Sequence, residues 1–475
     1  MSNMTYQVPQ NISQNKIFIV KKSEIEGRLE PDFYKPSIAT LEKKIRSLST
    51  KKLRSYAQSF AGGATPSKRE SEKYYSDPET GIPFLRVQNL QTTGELCLDG
   101  CIYINEDTHN GLLKRSQVSE GDLLVKITGV GRMAIASVAP KDFVGNTNQH
   151  MVVIKTGNPS VSKYLAHYLN LDIIEQIASR HSTGGTRPAL DYPSLKNIPI
   201  IDGLDFSIID DAIKTKKAKE AEAQQLLDSI DGYLLKELGI TMPEIKTEIG
   251  NRMFVVQRRE LKGRYAPSLY KDAISLHSTI YENMPLSHLA YINPNTRFPY
   301  QDKEMLISFV PMEAVNEIYA EINGNNDCPI AETKGFTRFQ EGDLLWAKIT
   351  PCMENGKSAV AKGLTNGYGC GSTEFHVIRP KNDDVLVEYI HSLLHMKLVR
   401  QTAKLYFGGS AGQQRVATDF LEDFNVPLPS KRKQQEIVNY IEGIRIQAKT
   451  LREEGNTILY EANRKVEQVI IGDSM

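Results

Sequence analysis

The chain has 475 residues, of which 58 are Lys or Arg, 57 are Asp or Glu, and 40% are hydrophobic. That length exceeds a single ordinary core and predicts roughly two to four soluble globular domains. The net charge of +1 neither points to nor excludes a polyanionic partner. No apolar run is long enough to span a bilayer, and the opening MSNMTYQVPQNISQNK lacks the apolar core of a signal peptide, so a cytoplasmic location is expected.

In chain order, the first signature is Gly27-Arg28-Leu29-Glu30-Pro31-Asp32-Phe33-Tyr34-Lys35, followed by an apolar helical stretch through Ile38, Leu41 and Ile45. It returns as Gly263-Arg264-Tyr265-Ala266-Pro267-Ser268-Leu269-Tyr270-Lys271, with Ile274, Leu276 and Ile280 after it. Gly62-Gly63 and Thr65-Pro66-Ser67 predict a loop, and Ile82 to Leu90 a buried strand with a polar end at Gln88-Asn89. In the second half Pro294 to Phe309 takes the same place, with Ile307 to Val310 as its strand. Glu120-Gly121-Asp122-Leu123-Leu124-Val125-Lys126-Ile127-Thr128 matches Glu341-Gly342-Asp343-Leu344-Leu345-Trp346-Ala347-Lys348-Ile349-Thr350 with one inserted residue, which pairs Lys126 with Lys348. Both are a turn and a strand leading into glycine loops, Gly129-Val130-Gly131-Arg132 and Glu354-Asn355-Gly356-Lys357. Further strands are expected at Met133 to Val138, Met151 to Ile154, Ser358 to Ala361 and Phe375 to Ile378.

Helical stretches at Ser162 to Arg180 and Val385 to Lys404 precede a closing loop and strand in each half. There Gly184, Arg187, Ala189, Asp191, Asn197 and Pro199 match Gly412, Arg415, Ala417, Asp419, Asn425 and Pro427 without a gap. A duplication is the strongest signal in the chain, and it keeps the Gly, Pro, Asp and Arg positions at which backbone geometry and charge restrict substitution.

A long helix follows each half. Asp205 to Ile240 has a face of Ala223, Leu227, Ile230, Leu234 and Leu238. Lys431 to Ile471 has a heptad-like seam of Ile437, Ile441, Ile444, Ala448, Leu451, Gly455, Ile458, Ala462 and Val469, broken by Lys465. At about 1.5 Å per residue the two are roughly 50 and 60 Å long. Each seam needs a partner, and the economical one is the other helix, antiparallel and pseudo-twofold. Apolar residues off the seams (Ile446, Leu459, Val466, Leu226 and Leu235) leave room for other subunits. The expected fold is α+β: two repeated recognition domains with small twisted β cores, residues 1–204 and 241–430, joined by helices at 205–240 and 431–475.

Catalytic motifs fail on inspection. Gly356-Lys357-Ser358 suggests a phosphate loop, but Pro351 stands where that loop requires Gly. His391 and His395 lie four apart, yet HSLLH is not a zinc-protease motif and reads as a core or surface pair. Pro31-Asp32-Phe33-Tyr34-Lys35 is superficially like a nuclease carboxylate–lysine motif, but its copy has Ser268 at the acidic position, so it reads as a structural turn. No amino-methyltransferase motif, nucleophile elbow or dinucleotide fingerprint is present. The five cysteines (Cys97, Cys101, Cys328, Cys352 and Cys370) form no CxxC pair, so no metal or disulfide framework is indicated. The basic clusters Lys43, Lys44, Arg46, Lys51, Lys52 and Arg54; Lys214, Lys216, Lys217 and Lys219; Arg258, Arg259, Lys262 and Arg264; and Lys431, Arg432 and Lys433 read as solvated helix faces able to meet phosphate.

The layout resembles the DNA-specificity (S) subunits of type I restriction–modification systems. The resemblance rests on the Gly-Arg-x-x-Pro-x-x-Tyr starts, Gly62-Gly63-Ala64-Thr65-Pro66-Ser67 with Gly81-Ile82-Pro83-Phe84-Leu85-Arg86-Val87, and Lys126-Ile127-Thr128-Gly129. It extends through Lys348-Ile349-Thr350-Pro351-Cys352-Met353-Glu354-Asn355-Gly356-Lys357, the run from Gly371 to Pro380, and Pro427-Leu428-Pro429 with Gln434-Gln435-Glu436-Ile437. The resemblance implies two target-recognition domains, each reading half of a bipartite site in double-stranded DNA, with the helices setting the spacer and docking two methyltransferase subunits. Restriction subunits would attach through these. It implies a non-catalytic chain without a cofactor of its own, S-adenosylmethionine, ATP and Mg being bound by the partners. Roughly 50–60 Å of helix is about one and a half DNA turns.

Candidate DNA contacts are Gln88, Asn89, Lys126, Thr128, Arg132, Thr186 and Arg187 in the first domain, and Lys348, Thr350, Asn355, Lys357, Gln413, Gln414 and Arg415 in the second. Lys and Arg suit phosphate or guanine; Asn and Gln suit adenine. Residues shared by both halves, Lys126/Lys348 and Arg187/Arg415, are poor readers of two different half-sites and equally suit a structural role. The alternatives are a non-DNA assembly scaffold and a fused nuclease or methyltransferase.

Overall fold

The computed structural model describes residues 13, 16–25, 27–49, 51–240, 276–299, 302–324, 326–409 and 413–472. The second Gly-Arg-x-x-Pro-x-x-Tyr signature at 263–271 and the basic cluster at 258–264 lie outside them, as does Gly412. The chain forms two compact units, residues 1–217 with 455–475 and residues 218–454.

The duplication is a repeat of topology. In the first unit a four-stranded antiparallel sheet runs in the order Ser59–Gly62, Met151–Lys155, Leu123–Lys126, Ala136–Val138. In the second unit the order Ala290–Ile292, Phe375–Pro380, Leu344–Ala347, Ser358–Val360 repeats it. Each unit has a second sheet built around one parallel pair, Ile82–Leu85 with Val144–Thr147 and Leu306–Val310 with Tyr368–Gly371.

The runs LLV and LLW are apolar throughout because both faces of these strands are buried. Leu123 and Val125 pack in a core with Tyr168, Ile174 and Ile177, while Leu124 faces Leu85, Val118 and Val153 in another. In the second unit Leu344 and Trp346 pack with Tyr389 and Leu393, and Leu345 with Phe339 and Val377. A buried aspartate ties each turn to the sheet. Asp122 accepts from Ser119 N at 2.8 Å and pairs with Lys155 at 2.7 Å. Asp343 accepts from Gln340 N at 2.8 Å and takes both ends of the Arg379 fork at 2.7 and 2.6 Å.

Each expected connecting helix is two helices. Pro159–Leu169 stops at Asn170, whose side chain bonds Ala136 N at 3.0 Å and Ala136 O at 2.8 Å. Asp172–His181 begins with Ile173 N donating to buried Glu467 at 3.1 Å. In the second unit the helices are Val387–His395 and Lys397–Lys404. The expected strand at Ile82 to Leu90 ends at Leu85 and turns through Val87–Asn89.

The first signature is structural. Phe33 is stacked between two guanidinium groups, Arg28 at 4.6 Å and Arg180 at 4.5 Å, and Tyr34 donates to Arg28 O at 2.8 Å.

The central helix spans Ser207–Glu237 and the terminal helix Lys431–Ile471. Asp205 accepts from Ser207 N at 2.9 Å, and Gly239 at φ +60° follows the helical end, the capping logic of Asp before and Gly after. Within the second unit they run antiparallel: Lys219 pairs with Glu454, Gln224 with Arg452, Tyr233 stacks on Tyr440 at 4.0 Å, and Lys433 pairs with Glu237. In the first unit Gly455 lies on the seam, where a Cβ would come within 3.3 Å of the Lys216 Cα.

The terminal seam departs from the heptad reading at its end. Leu459, Ala462, Val466 and Ile470 are buried, whereas Val469 is 78% exposed. A straight helix of 3.6 residues per turn drifts against a 3.5-residue repeat, so the buried stripe slides past Lys465 by one position. Leu459 and Val466, read as off-seam, belong to the core; Ile446 is exposed as expected.

Candidate nucleic-acid interface

In the first unit, several loops converge where the two sheets meet. Gly63 passes so close to the 147–148 backbone that a Cβ would sit 1.8 Å from Thr147 O, which no other residue tolerates. Ile127 N donates to His150 O at 2.9 Å, Leu190 N to Ile127 O at 2.8 Å, and Gly129 N to Pro188 O at 3.0 Å. The second unit repeats each bond: Lys348 N to Glu374 O at 2.9 Å, Val416 N to Lys348 O at 2.9 Å, and Thr350 N to Gln414 O at 3.0 Å.

These bonds correct the register read from residue identities. Ile127, not Lys126, is the backbone equivalent of Lys348, and Arg187 corresponds to Gln413 while Arg415 corresponds to Ala189. The inserted residue lies in the loop after Thr350, because Lys126 N bonds Ile135 O while Ala347 N bonds Lys357 O. An insertion within the strand would flip its remaining side chains to the other face; a loop absorbs it.

Several candidate residues are occupied by the fold. Asn89 is fully buried, accepting from Arg86 N and donating to Cys97 O, both at 2.8 Å. Lys126 is buried, and its Nζ donates to Val130 O at 2.8 Å; desolvation lowers its pKa. Arg132 holds Asp172 and Asn170 O. Lys357 donates to Met312 O at 3.2 Å and Val315 O at 2.9 Å. Arg415 forms a two-pronged pair with Glu374 at 2.8 and 2.7 Å, which lowers the Glu374 pKa. Thr350 donates to Glu354 at 2.5 Å. A sequence reader sees a Lys or Arg at a strand end but not the carbonyls that fold back onto it.

Gln88, Thr186, Arg187, Gln413 and Asn355 are exposed, and Thr128, Lys348 and Gln414 are half-buried. Asn355 lines a different pocket, beside Arg400 and Arg445. His391 and His395 are a buried core pair: His391 Nε2 lies 3.0 Å from Ser358 Oγ and His395 Nε2 lies 3.2 Å from Glu317 O. Among the described residues no group of three or more His, Cys, Asp or Glu is placed to hold a metal ion.

Lys348 lines a groove of about 310 Å³ with Asn295, Phe336, Thr337 and Arg338. Its floor is rigid. Asn293 accepts from Val377 N at 3.0 Å and its amide nitrogen lies 3.0 Å from His376 Nδ1, while His376 Nε2 bonds Val416 O at 2.9 Å. Arg379 bridges Asp343 and Thr296 Oγ1, the latter at 2.8 Å, and so anchors the 294–298 loop. Above the floor stand an exposed amide (Asn295), an exposed ring (Phe336) and two cations, a set that suits base edges and phosphate. Asn295, Phe336 and Arg338 were not singled out from the sequence; the signal was the weak match of Pro294 to Phe309 with the Gly62-Gly63 loop.

The corresponding backbone positions of the first unit carry Gly63, Arg115, Gln117 and Ile127, with Arg115 donating to Gly62 O at 3.2 Å. One frame therefore presents two different linings.

Residues 283–458 match the family described as type I restriction modification DNA specificity domain. Two Escherichia coli proteins are similar to part of the chain: the type I restriction enzyme EcoEI specificity subunit, 35% identical over 196 residues (40% of this chain and 32% of that protein), and the EcoAI specificity subunit, 38% identical over 159 residues (32% and 26%). The chain thus spans about a third or less of the length of these relatives. A solved chain described under complex assembly and conformational transition of the type I R-M system aligns over 89% of this chain and 97% of its own, at 16% identity and a TM-score of 0.44. The second unit carries a type I restriction modification DNA specificity domain, and over that segment the chain is a relative of type I restriction enzyme specificity subunits.

Proposed function

We propose that this chain is the DNA-specificity subunit of a type I restriction–modification complex, each unit reading one half of a bipartite site in double-stranded DNA. The observation that carries this reading is one hydrogen-bonded frame with two linings. Asn295, Phe336, Arg338 and Lys348 in one unit stand where Gly63, Arg115, Gln117 and Ile127 stand in the other. Copies kept only for stability have no reason to diverge at the groove while holding the frame; copies that read different bases do.

In this reading the two long helices set the spacer and dock two methyltransferase subunits, with restriction subunits attached through these. The chain catalyses nothing and holds no cofactor; S-adenosylmethionine, ATP and Mg belong to the partners. The complex works in the cytoplasm.

Salt dependence of DNA binding tests the groove. Lys348→Ala is expected to weaken binding to all sequences and to reduce the slope of log K against log salt by about 1. Lys126→Ala, whose ammonium is spent on Val130 O, is expected to leave the slope unchanged. Anisotropy titrations of the assembled complex over a range of salt measure both. An unchanged slope for Lys348→Ala would take the groove off the DNA.

A further inference from the structure

Arg445 lies on the terminal helix within the second unit. Its guanidinium is mostly enclosed, and desolvation pulls its pKa down to about 10. No hydrogen bond or ion pair joins it to another described residue, although Glu442 on the same helix acts on it from beyond ion-pair distance. It lines a pocket of about 230 Å³ together with Arg400, His395, Asp231 and Glu317.

The neighbouring groups are already engaged. Arg400 donates from Nε to His395 O at 3.1 Å and from a terminal nitrogen to Glu354 O. Asp231 accepts from Lys397 N at 2.9 Å, and Glu317 pairs with Lys357 at 3.3 Å. An enclosed cation left unpaired is costly, whereas the same cation paired with a carboxylate in good geometry is not.

We infer that Arg445 anchors an acidic side chain presented by a partner protein that docks on this part of the chain; the inference rests on the reading that the chain assembles with other subunits. Two observations favour a protein over nucleic acid. Asp228, Asp231 and Glu317 line the pocket alongside Lys397, Arg400 and Arg445, so the local charge is balanced and does not attract a polyanion. Exposed apolar residues adjoin it: Ile318, 37% exposed, lines the pocket, and Ile446, 66% exposed, follows Arg445 in the chain. An arginine beside apolar surface is the pattern of a protein-interface hot spot.

The test uses the full chain and the methyltransferase subunits proposed above, comparing wild type, Arg445→Met and Arg445→Lys by dissociation constant and by melting of the free chain. Arg445→Met is expected to weaken association about 30-fold or more. Arg445→Lys, which keeps the charge but loses the planar fork, should fall between. The free Arg445→Met chain is expected to melt at the same temperature or higher, because an uncompensated charge has been removed. If wild type associates and Arg445→Met associates equally well, the anchor is wrong and the assembly reading stands. A lower melting temperature for Arg445→Met would give Arg445 a structural role and overturn the inference. No association of wild type would overturn both.

Discussion

Replacing Glu42 by Gln is expected to destabilise the first unit by about 3 kcal/mol. Glu42 is buried, and its carboxylate is shared by Arg46, Arg180 at 2.6 Å and His181 at 2.9 Å. Burial pushes its pKa up, but the hydrogen bond and charge of His181, with Arg46, outweigh this and hold it at about 2. A folded-state pKa of about 2 against an unfolded value near 4.5 corresponds to about 3 kcal/mol at neutral pH. That stability is present above the unfolded value and is lost as pH falls from about 4.5 through 2. The amide that replaces the carboxylate in Glu42→Gln cannot ionise, so the variant should lose this part of the acid dependence. Denaturant melts of both proteins between pH 7 and pH 3 measure it; the two curves should converge as the pH falls. The same group fixes the Arg180–Phe33–Arg28 stack, so the repeated signature belongs to the packing of the unit.

Asp343→Ala is expected to be larger, about 3–5 kcal/mol, because it leaves the Arg379 guanidinium without its charge partner inside the second unit. The pair also holds the Gln340 turn and, through Arg379 and Thr296, the loop that carries Asn295. Loss of cooperative unfolding in the second unit should therefore accompany loss of its DNA selectivity. Asp343→Asn, which keeps an acceptor for Gln340 N but not the charge, should lie between. Urea melts with a probe on Trp346 report the second unit, because Trp346 is the single tryptophan. A melt indistinguishable from wild type would contradict the account of this pair.

The duplication and the long helices were legible because they depend on residue types that report backbone state. Lys431 to Ile471 contains no proline, and its boundaries follow from composition alone. The Glu-Gly-Asp turns were legible for the same reason, with Gly121 and Gly342 at φ +77° and +81°. Register was not. Matching Lys126 to Lys348 by identity put the insertion inside a strand, whereas hydrogen bonding puts it in the following loop. The matched Arg187 and Arg415 likewise occupy different positions, one exposed and one clamped on Glu374. Occupancy was not legible either: Asn89, Arg132 and Lys357 find partners distant in sequence or on a turned-back backbone. The groove residues Asn295 and Arg338 escaped notice because readers of different bases leave no shared motif.

The central claim is that this chain selects the DNA sites modified by its complex. Whole-genome mapping of modified adenines tests it most directly, comparing cells that hold the chain and its methyltransferase partner with cells lacking only the chain. The account predicts a split motif with a fixed spacer that disappears without the chain, and that changes one half when residues 54–200 or 285–428 are exchanged. A modified motif that persists unchanged without the chain would contradict it.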